Sequence, residues 1–210
     1  MTTKQGFTSV VRSTDELREM VGAPSRTAVE KEIAYLDDAS RAFIAQSPFA
    51  LVGTSAPDGT CDVSPKGDAP GFALILDEHT LVIPDRPGNR RADSMTNIIQ
   101  NPHIGLLFLV PGAAETLRVN GRAEVIYDED VLAQMEANGK RPKFGIAVHV
   151  EQAFLHCAKC INRSSLWNQD TWPSLSDVPS AADLMLGHVK YEGTPDEFQR
   201  AYDEGVRKLY

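Results

Sequence analysis

Three arginines stand within six residues, at Arg86, Arg90 and Arg91, in a chain that is otherwise acidic. A guanidinium group offers a rigid fork of donors that matches phosphate oxygens two at a time, and Gly88 lets the backbone come close to a bound anion. The segment Pro84-Asp85-Arg86-Pro87-Gly88-Asn89-Arg90-Arg91 therefore suits a phosphate, with a phosphorylated cofactor as the natural ligand. The same residues also suit a polar turn that ends a strand and opens a helix, with Asn89 as N-cap and the arginines in solvent. The flanking elements favour the first reading: Leu81-Val82-Ile83 reads as a buried strand, Asn89 to Gln100 as a short helix and His103 to Val110 as another strand. Arg90 and Arg91 then fall in the first helical turn, where the macrodipole disfavours cations unless an anion lies between them.

Other residues with chemical potential carry less. Cys157 and Cys160 form a C-x-x-C pair, but no βαβ context surrounds it, and a structural zinc needs two further ligands. Two small side chains on a helix, one or both buried, is the reading that fits better. An imidazole is the side chain whose unperturbed pKa lies nearest neutrality, so His156 is a candidate proton donor, although most histidines are not catalytic. Trp167 and Trp172 can each cover a ligand face or anchor a loop, and Trp172 reads as packing.

Composition narrows the class. The 210 residues, 42% of them hydrophobic, suffice for one good core with terminal extensions. A net charge of −8 argues against a nucleic-acid partner, and a compact basic site in an acidic chain suits a small anionic ligand. No stretch approaches the ~20 apolar residues of a membrane span, and Met1 to Gly6 lacks an apolar signal core, so a cytoplasmic protein is expected. Three cysteines suit that compartment.

The elements that must position these residues read as follows. Ser13-x-x-Glu16 opens a helix to about Val21, and a second helix covers Ala28 to Gln46. Phe49 to Thr54, the turn Pro57-Asp58-Gly59 and Cys61 to Ser64 form a hairpin, and Phe72 to Leu76 pairs with Thr80 to Ile83. Ile104 to Val110 and Thr116 to Tyr127 pair across a short loop; a helix over Asp128 to Asn138 and a strand over Gly145 to Val150 follow. Thr194-Pro195-Asp196-Glu197 caps a terminal helix. Short strands with few helices between them indicate an antiparallel barrel of mainly β, α+β class. The expected organisation is a helical extension over 1–46, a barrel over 47–168 and a C-terminal extension over 169–210.

Val63-Ser64-Pro65-Lys66-Gly67-Asp68, then Ile83 to Arg91, Asn101-Pro102 and Thr116-Leu117-Arg118-Val119-Asn120-Gly121 occur in an order that resembles the pyridoxamine 5′-phosphate oxidase superfamily of FMN-binding split barrels. The likeness runs over roughly residues 40 to 168. His156-Cys157-Ala158-Lys159 and Arg163-Ser164-Ser165-Leu166-Trp167 are similar to a subgroup known only as related to the oxidase.

The resemblance implies a homodimer of six-stranded split barrels with two FMN molecules at the interface. Asn89, Arg90 and Arg91 match the family's Ser-Arg-Lys phosphate segment. Ser64, Pro65 and Lys66 match the strand along the flavin, with Lys66 reaching the phosphate or the ring edge. Ile83, Pro84 and Asp85 match the segment whose backbone contacts the isoalloxazine, and Arg118 and Asn120 fall near the dimer seam. Lys66, Arg118 or Lys159 would supply positive charge near flavin N1, and Trp167 a pocket wall from the partner chain. The oxidase's C-terminal substrate signature has no counterpart in Val206-Arg207-Lys208-Leu209-Tyr210. The implied activity is FMN-dependent hydride transfer to or from a small molecule, with NADH or NADPH as a candidate donor. The alternatives are a flavin carrier or sensor, and a barrel holding F420 or haem, the last with His149 or His156 as axial ligand.

Overall fold

The computed structural model describes residues 6–210, so the N-terminal reading lies, up to Gln5, outside the described residues. Residues up to Glu32 form one compact unit and Ile33–Tyr210 a second. In the first, α1 (Thr14–Val21) starts where Ser13 Oγ accepts the Glu16 amide at 3.1 Å, and Gly22 at φ 75° ends it. Ser25 caps α2 (Arg26–Glu30) in the same way, through the Ala28 amide.

The single helix expected over Ala28 to Gln46 does not form. The chain is extended at Ile33, whose amide and carbonyl pair with Ala153 at 3.1 and 2.7 Å. Asp37 then accepts the Ser40 amide at 2.8 Å and starts α3 (Asp38–Gln46). No glycine or proline marks this break, and the cap is an aspartate inside a run of helical periodicity.

Seven antiparallel strands make one sheet in the order β2-β1-β5-β6-β7-β4-β3. They are β1 (Phe49–Ser55), β2 (Cys61–Gly67), β3 (Leu74–Ile75), β4 (Thr80–Pro84), β5 (His103–Leu109), β6 (Thr116–Ile126) and β7 (Gly145–His156). Six strands have five or more residues, and β3 adds a two-residue seventh. The Ala56–Thr60 turn closes the β1–β2 hairpin with Gly59 at φ 88°, as its Pro-Asp-Gly sequence indicates. The strand expected over Phe72 to Leu76 shrinks to β3 because Phe72 and Ala73 turn into the core.

Between β4 and β5 lies α4 (Asp93–Gln100), and between β6 and β7 lies α5 (Glu129–Ala133). The helix expected over Asp128 to Asn138 stops early: Ala137 and Lys140 close a bridge around Asn138 (φ 50°) and Gly139 (φ 69°), left-handed positions that no helix continues through. Strand β7 runs six residues beyond the expected Val150, past a bulge where Asn120 faces Gln152 and Gly121 faces Val150. The bulge hid this continuation in the sequence, since it breaks the period of two. Beyond it come α6 (Lys159–Ser164), α7 (Ala181–Met185) and α8 (Pro195–Val206), the last with the full Thr194–Glu197 capping box.

Buried side chains from β1 (Ala50, Val52), β4 (Leu81, Ile83), β5, β6 and β7 share one core with Leu36, Ile44 of α3 and Ile98 of α4. The two ends of the sheet thus curl round the same interior, the α+β split-barrel architecture. A smaller cluster of Val82, Ala147, Leu132 and Met135 seats α5 on the other face of β4 and β7. Strand β4 is buried on both faces, which fixes where its C-terminal end delivers the chain. No helix among the described residues is long and apolar enough to cross a membrane.

Candidate functional site

A cavity of about 900 Å³ opens where β2, the segment after β4, the start of α4 and the segment before β7 meet. Strand β2 is an edge strand, so Pro65 costs it no ladder bond toward solvent. Its alternation puts Asp62, Ser64 and Lys66 on the more buried side. The β4–β7 ladder ends at Pro84 opposite Gly145, and the Asp85 amide adds one more bond to the Phe144 carbonyl at 3.0 Å. The 85–92 and 140–144 segments therefore leave the same end of one ladder, side by side.

Seven cations line the cavity: Lys66, Arg86, Arg90, Arg91, Lys140, Arg141 and Lys143. Their environments differ. Arg86 Nε lies 2.6 Å from Asp68 Oδ2, with side chains 17% and 9% exposed, and its guanidinium stands 5.8 Å from the Tyr210 ring centre. Tyr210 donates its hydroxyl to the other Asp68 oxygen. Burial pushes the Asp68 carboxyl up, but the hydrogen bonds from Tyr210, the Ala69 amide and Arg86 outweigh it and hold the group below the usual carboxylate range. The Tyr210 phenol is raised, first by that same bond to Asp68. Lys66 faces Asp85 at 3.7 Å, and Arg91 faces Asp93 at 2.8 Å, which raises the Arg91 guanidinium further. Among the described residues Arg90 and Lys143 make no ion pair.

The arginine segment is a loop and not the first turn of a helix. Asn89 Oδ1 accepts the Arg91 amide two residues on, an Asx turn in place of the expected N-cap. Arg90 (φ 63°) and Ala92 (φ 56°) are left-handed, which bars right-handed helix before Asp93. Ala92 is the N-cap of α4 and supplies no side-chain bond, so the first amides of the helix open toward the cavity wall that Asp93, Ser94 and Met95 form. Ser94 Oγ donates to Asp62 Oδ2 at 2.8 Å and ties this helix start to β2.

Of the residues singled out in the sequence, Ser64, Pro65, Lys66, Asp85, Asn89, Arg90 and Arg91 line this one cavity. Ile83 and Pro84 are buried just behind it, paired with Ile146 and Gly145. Arg118, Lys159 and Trp167 are elsewhere. The Arg118 guanidinium stacks 5.3 Å over Phe154, Lys159 begins α6 in solvent, and Trp167 Nε1 donates to the Ala113 carbonyl at 2.6 Å. This second group gathers where β6 begins and β7 ends, with Thr116 opposite His156. At a rise of about 3.3 Å per residue, β7 from Gly145 to Phe154 measures at most about 30 Å along the strand, so within one chain this group lies at the opposite end of β7 from the cavity.

Cys157 and Cys160 are both exposed free thiols, contrary to the expectation of burial, and Cys157 precedes α6. Among the described residues no group of three metal-ligating side chains occurs. Trp172, expected to pack, is 53% exposed and held through Nε1 to the Leu166 carbonyl.

Sequence reasoning missed Lys140, Arg141, Lys143 and Tyr210. The run Lys140-Arg141-Pro142-Lys143 was a visible signal in an acidic chain; it fell between the helix expected to end at Asn138 and the strand expected from Gly145, where no chemistry was assigned. Lys140 Nζ donates to the Tyr210 main-chain oxygen at 2.7 Å, and Arg141 lies 3.8 Å from Glu129. Tyr210 carries no sequence signal.

Residues 36–157, more than half of the chain, match the pyridoxamine 5′-phosphate oxidase family, and the chain belongs to that family. No curated protein matches it in sequence. Among solved structures, HupZ from Group A Streptococcus is 20% identical, covering 57% of this chain and 92% of that one with a TM-score of 0.47. An FMN-binding protein from Syntrophomonas wolfei is 9% identical over 58% and 86%, with a TM-score of 0.46. HutZ, the heme storage protein of Vibrio cholerae, is 15% identical over 58% and 93%, with a TM-score of 0.42.

Proposed function

We propose that this chain binds FMN in the cavity between β2 and the 85–92 loop and serves as a flavin-dependent oxidoreductase for a small molecule. The observation that carries the proposal is Arg90: an arginine without an acidic partner, on a left-handed loop at the mouth of a helix start that no side chain caps, in a cationic cavity of ligand size. Its donor set suits a phosphate dianion, and family membership supports a flavin as the bearer. No histidine lines the cavity, so haem finds no imidazole ligand there.

In this reading Arg90, with Arg91 and the first amides of α4, holds the phosphate. Lys66 and the backbone of Pro84-Asp85 border the ring, and the ion pair to Asp85 keeps the Lys66 ammonium in place. Bound FMN supplies hydride exchange at N5. Arg118, Lys159 and Trp167 belong to the same site only if a second copy of the chain brings them, and the proposal therefore includes a homodimer with the cofactor at its interface.

The test is the visible spectrum of the purified protein, with the released chromophore identified by mass. Bands near ~375 and ~450 nm with FMN released are expected, and bleaching by NADH or NADPH separates an enzyme from a carrier. A colourless protein that refuses added FMN would sink the proposal.

A further inference from the structure

Two of the three thiols are placed differently from the third. Cys61 opens the edge strand β2 opposite Ser55, with β1, β5 and β6 between it and β7. Cys157 and Cys160 share the short junction between β7, which ends at His156, and α6, which begins at Lys159, and both face solvent. Ala158 between them is right-handed, at φ −66° and ψ −11°, and Lys159 is helical. With two right-handed residues at its centre, the 157–160 segment is a single turn whose end α-carbons lie within about 7 Å of each other. A disulfide closes across ~4.4–6.8 Å between α-carbons, so one bond can span this turn without unwinding β7 or α6.

The hydrogen bonds of the two sulfurs also differ. Cys157 Sγ accepts the Lys159 amide at 3.4 Å, whereas Cys160 Sγ donates to the Cys157 carbonyl oxygen at 3.8 Å. The Cys160 side chain thus bends back toward residue 157. An acceptor role suits the sulfur that attacks first, because the thiolate is the nucleophile, and a donor role suits the one that follows. Metal binding is the other use of such a pair, but a closed site takes four ligands, and no group of even three metal-ligating side chains occurs among the described residues.

We propose that Cys157 and Cys160 are a dithiol–disulfide couple that exchanges with low-molecular-weight disulfides. Cys157, having given up its proton, attacks one sulfur of a disulfide RSSR. The S–S bond breaks, one RS⁻ leaves and takes up a proton, and Cys157 is joined to the other half. Cys160 then loses its proton to solvent, its sulfur attacks Cys157 Sγ, and the second RS⁻ leaves. The net change oxidises two protein thiols to one disulfide and reduces RSSR to two RSH. The second attack is intramolecular across one turn, so it outruns capture of another RSSR, and a lone thiol such as Cys61 has no such step. The couple does not depend on the flavin reading.

The experiment equilibrates the full chain in buffers of oxidised and reduced glutathione, blocks the remaining thiols with iodoacetamide, and reads the masses of the intact protein and its tryptic peptides. Trypsin cuts after Lys159, so the peptides that carry Cys157 and Cys160 stay together only when bridged. The wild type should lose two of its three free thiols without gaining glutathione, at a ratio where Cys61 is still alkylated. Cys160→Ser should halt after the first step and carry one glutathione on Cys157. Cys157→Ser should leave Cys160 behaving as Cys61 does. Both side chains are exposed, so neither variant threatens the fold. Three thiols that take glutathione alike overturn the proposal, and so does a wild type that keeps all three free in oxidised glutathione alone. A mixed disulfide that persists on Cys157 in the wild type would overturn the bridge. The same outcomes are expected with or without bound FMN, so a failure of the flavin reading is told apart from a failure of the couple.

Discussion

Arg90 and Arg86 are four residues apart and identical in type, yet they have different work. Arg86 spends its charge on Asp68, and Arg90 has no such partner. Replacing Arg90 with Ala should lower FMN affinity about ten- to hundredfold and leave riboflavin, which lacks the phosphate, nearly unaffected. Equal weakening of both in fluorescence titrations would assign Arg90 to the fold. Asp68 carries the opposite expectation, since its carboxylate joins Arg86 and Tyr210 with little solvent contact. Asp68→Asn should cost about 2 kcal/mol near neutrality by leaving Arg86 half satisfied. The carboxyl is depressed in the folded state, so this contribution is complete above the unfolded value of about 3.9 and disappears as pH falls through the lower folded value. The gap between the melting temperatures of the two proteins should begin to close as pH falls below about 4 and vanish below the folded value, and a gap that does not narrow as pH falls would refute the role given to the Asp68 charge. At this scale the sequence revealed residue type and left out pairing: three arginines were visible, but which one an aspartate eighteen positions earlier neutralises is decided by the fold.

Among the elements, the β6–β7 pair sets the geometry of the molecule. It is the longest ladder, and its bulge at Asn120/Gly121 allows both strands to bend round the core. A Cβ on Gly121 would lie 1.9 Å from the His149 carbonyl oxygen, a backbone atom that cannot move aside without breaking the ladder. Gly121→Ala should therefore lower stability by about 3 kcal/mol, read from the urea midpoint at unchanged slope; an unchanged midpoint would show that the bulge tolerates a side chain. The hairpins and the capped helices α1 and α8 were legible, because their signals are local: Pro-Asp-Gly, Ser-x-x-Glu, Thr-Pro-x-Glu. The errors fell where a distant partner overrides local pattern. Ile33 is drawn out of helix by Ala153, β7 passes a bulge that interrupts its alternation, and left-handed Arg90 and Ala92 delay α4.

For the whole molecule, the cationic cavity is an exception within a chain of net charge −8. Ordinary anions are repelled at long range, and only a ligand that reaches the cavity finds favourable potential. The resemblance located half of that cavity through the 63–68 and 83–91 segments, and family membership bears the resemblance out. The other half, residues 140–144, falls within the span of the resemblance but outside its motif segments, and it joins the first half only through the β4–β7 pairing. That pairing also orders events in time. Strand β4 ends at Pro84, and the strand that holds it begins at Gly145, about 60 residues later, which is several seconds of synthesis at ~5–20 residues per second. Until then the arginine loop has the Arg86–Asp68 pair and the Ser94–Asp62 bond within its reach but lacks the ladder that fixes where β4 delivers it. A growing chain thus carries the loop's residues without its geometry, and loading of the ligand belongs to the finished barrel.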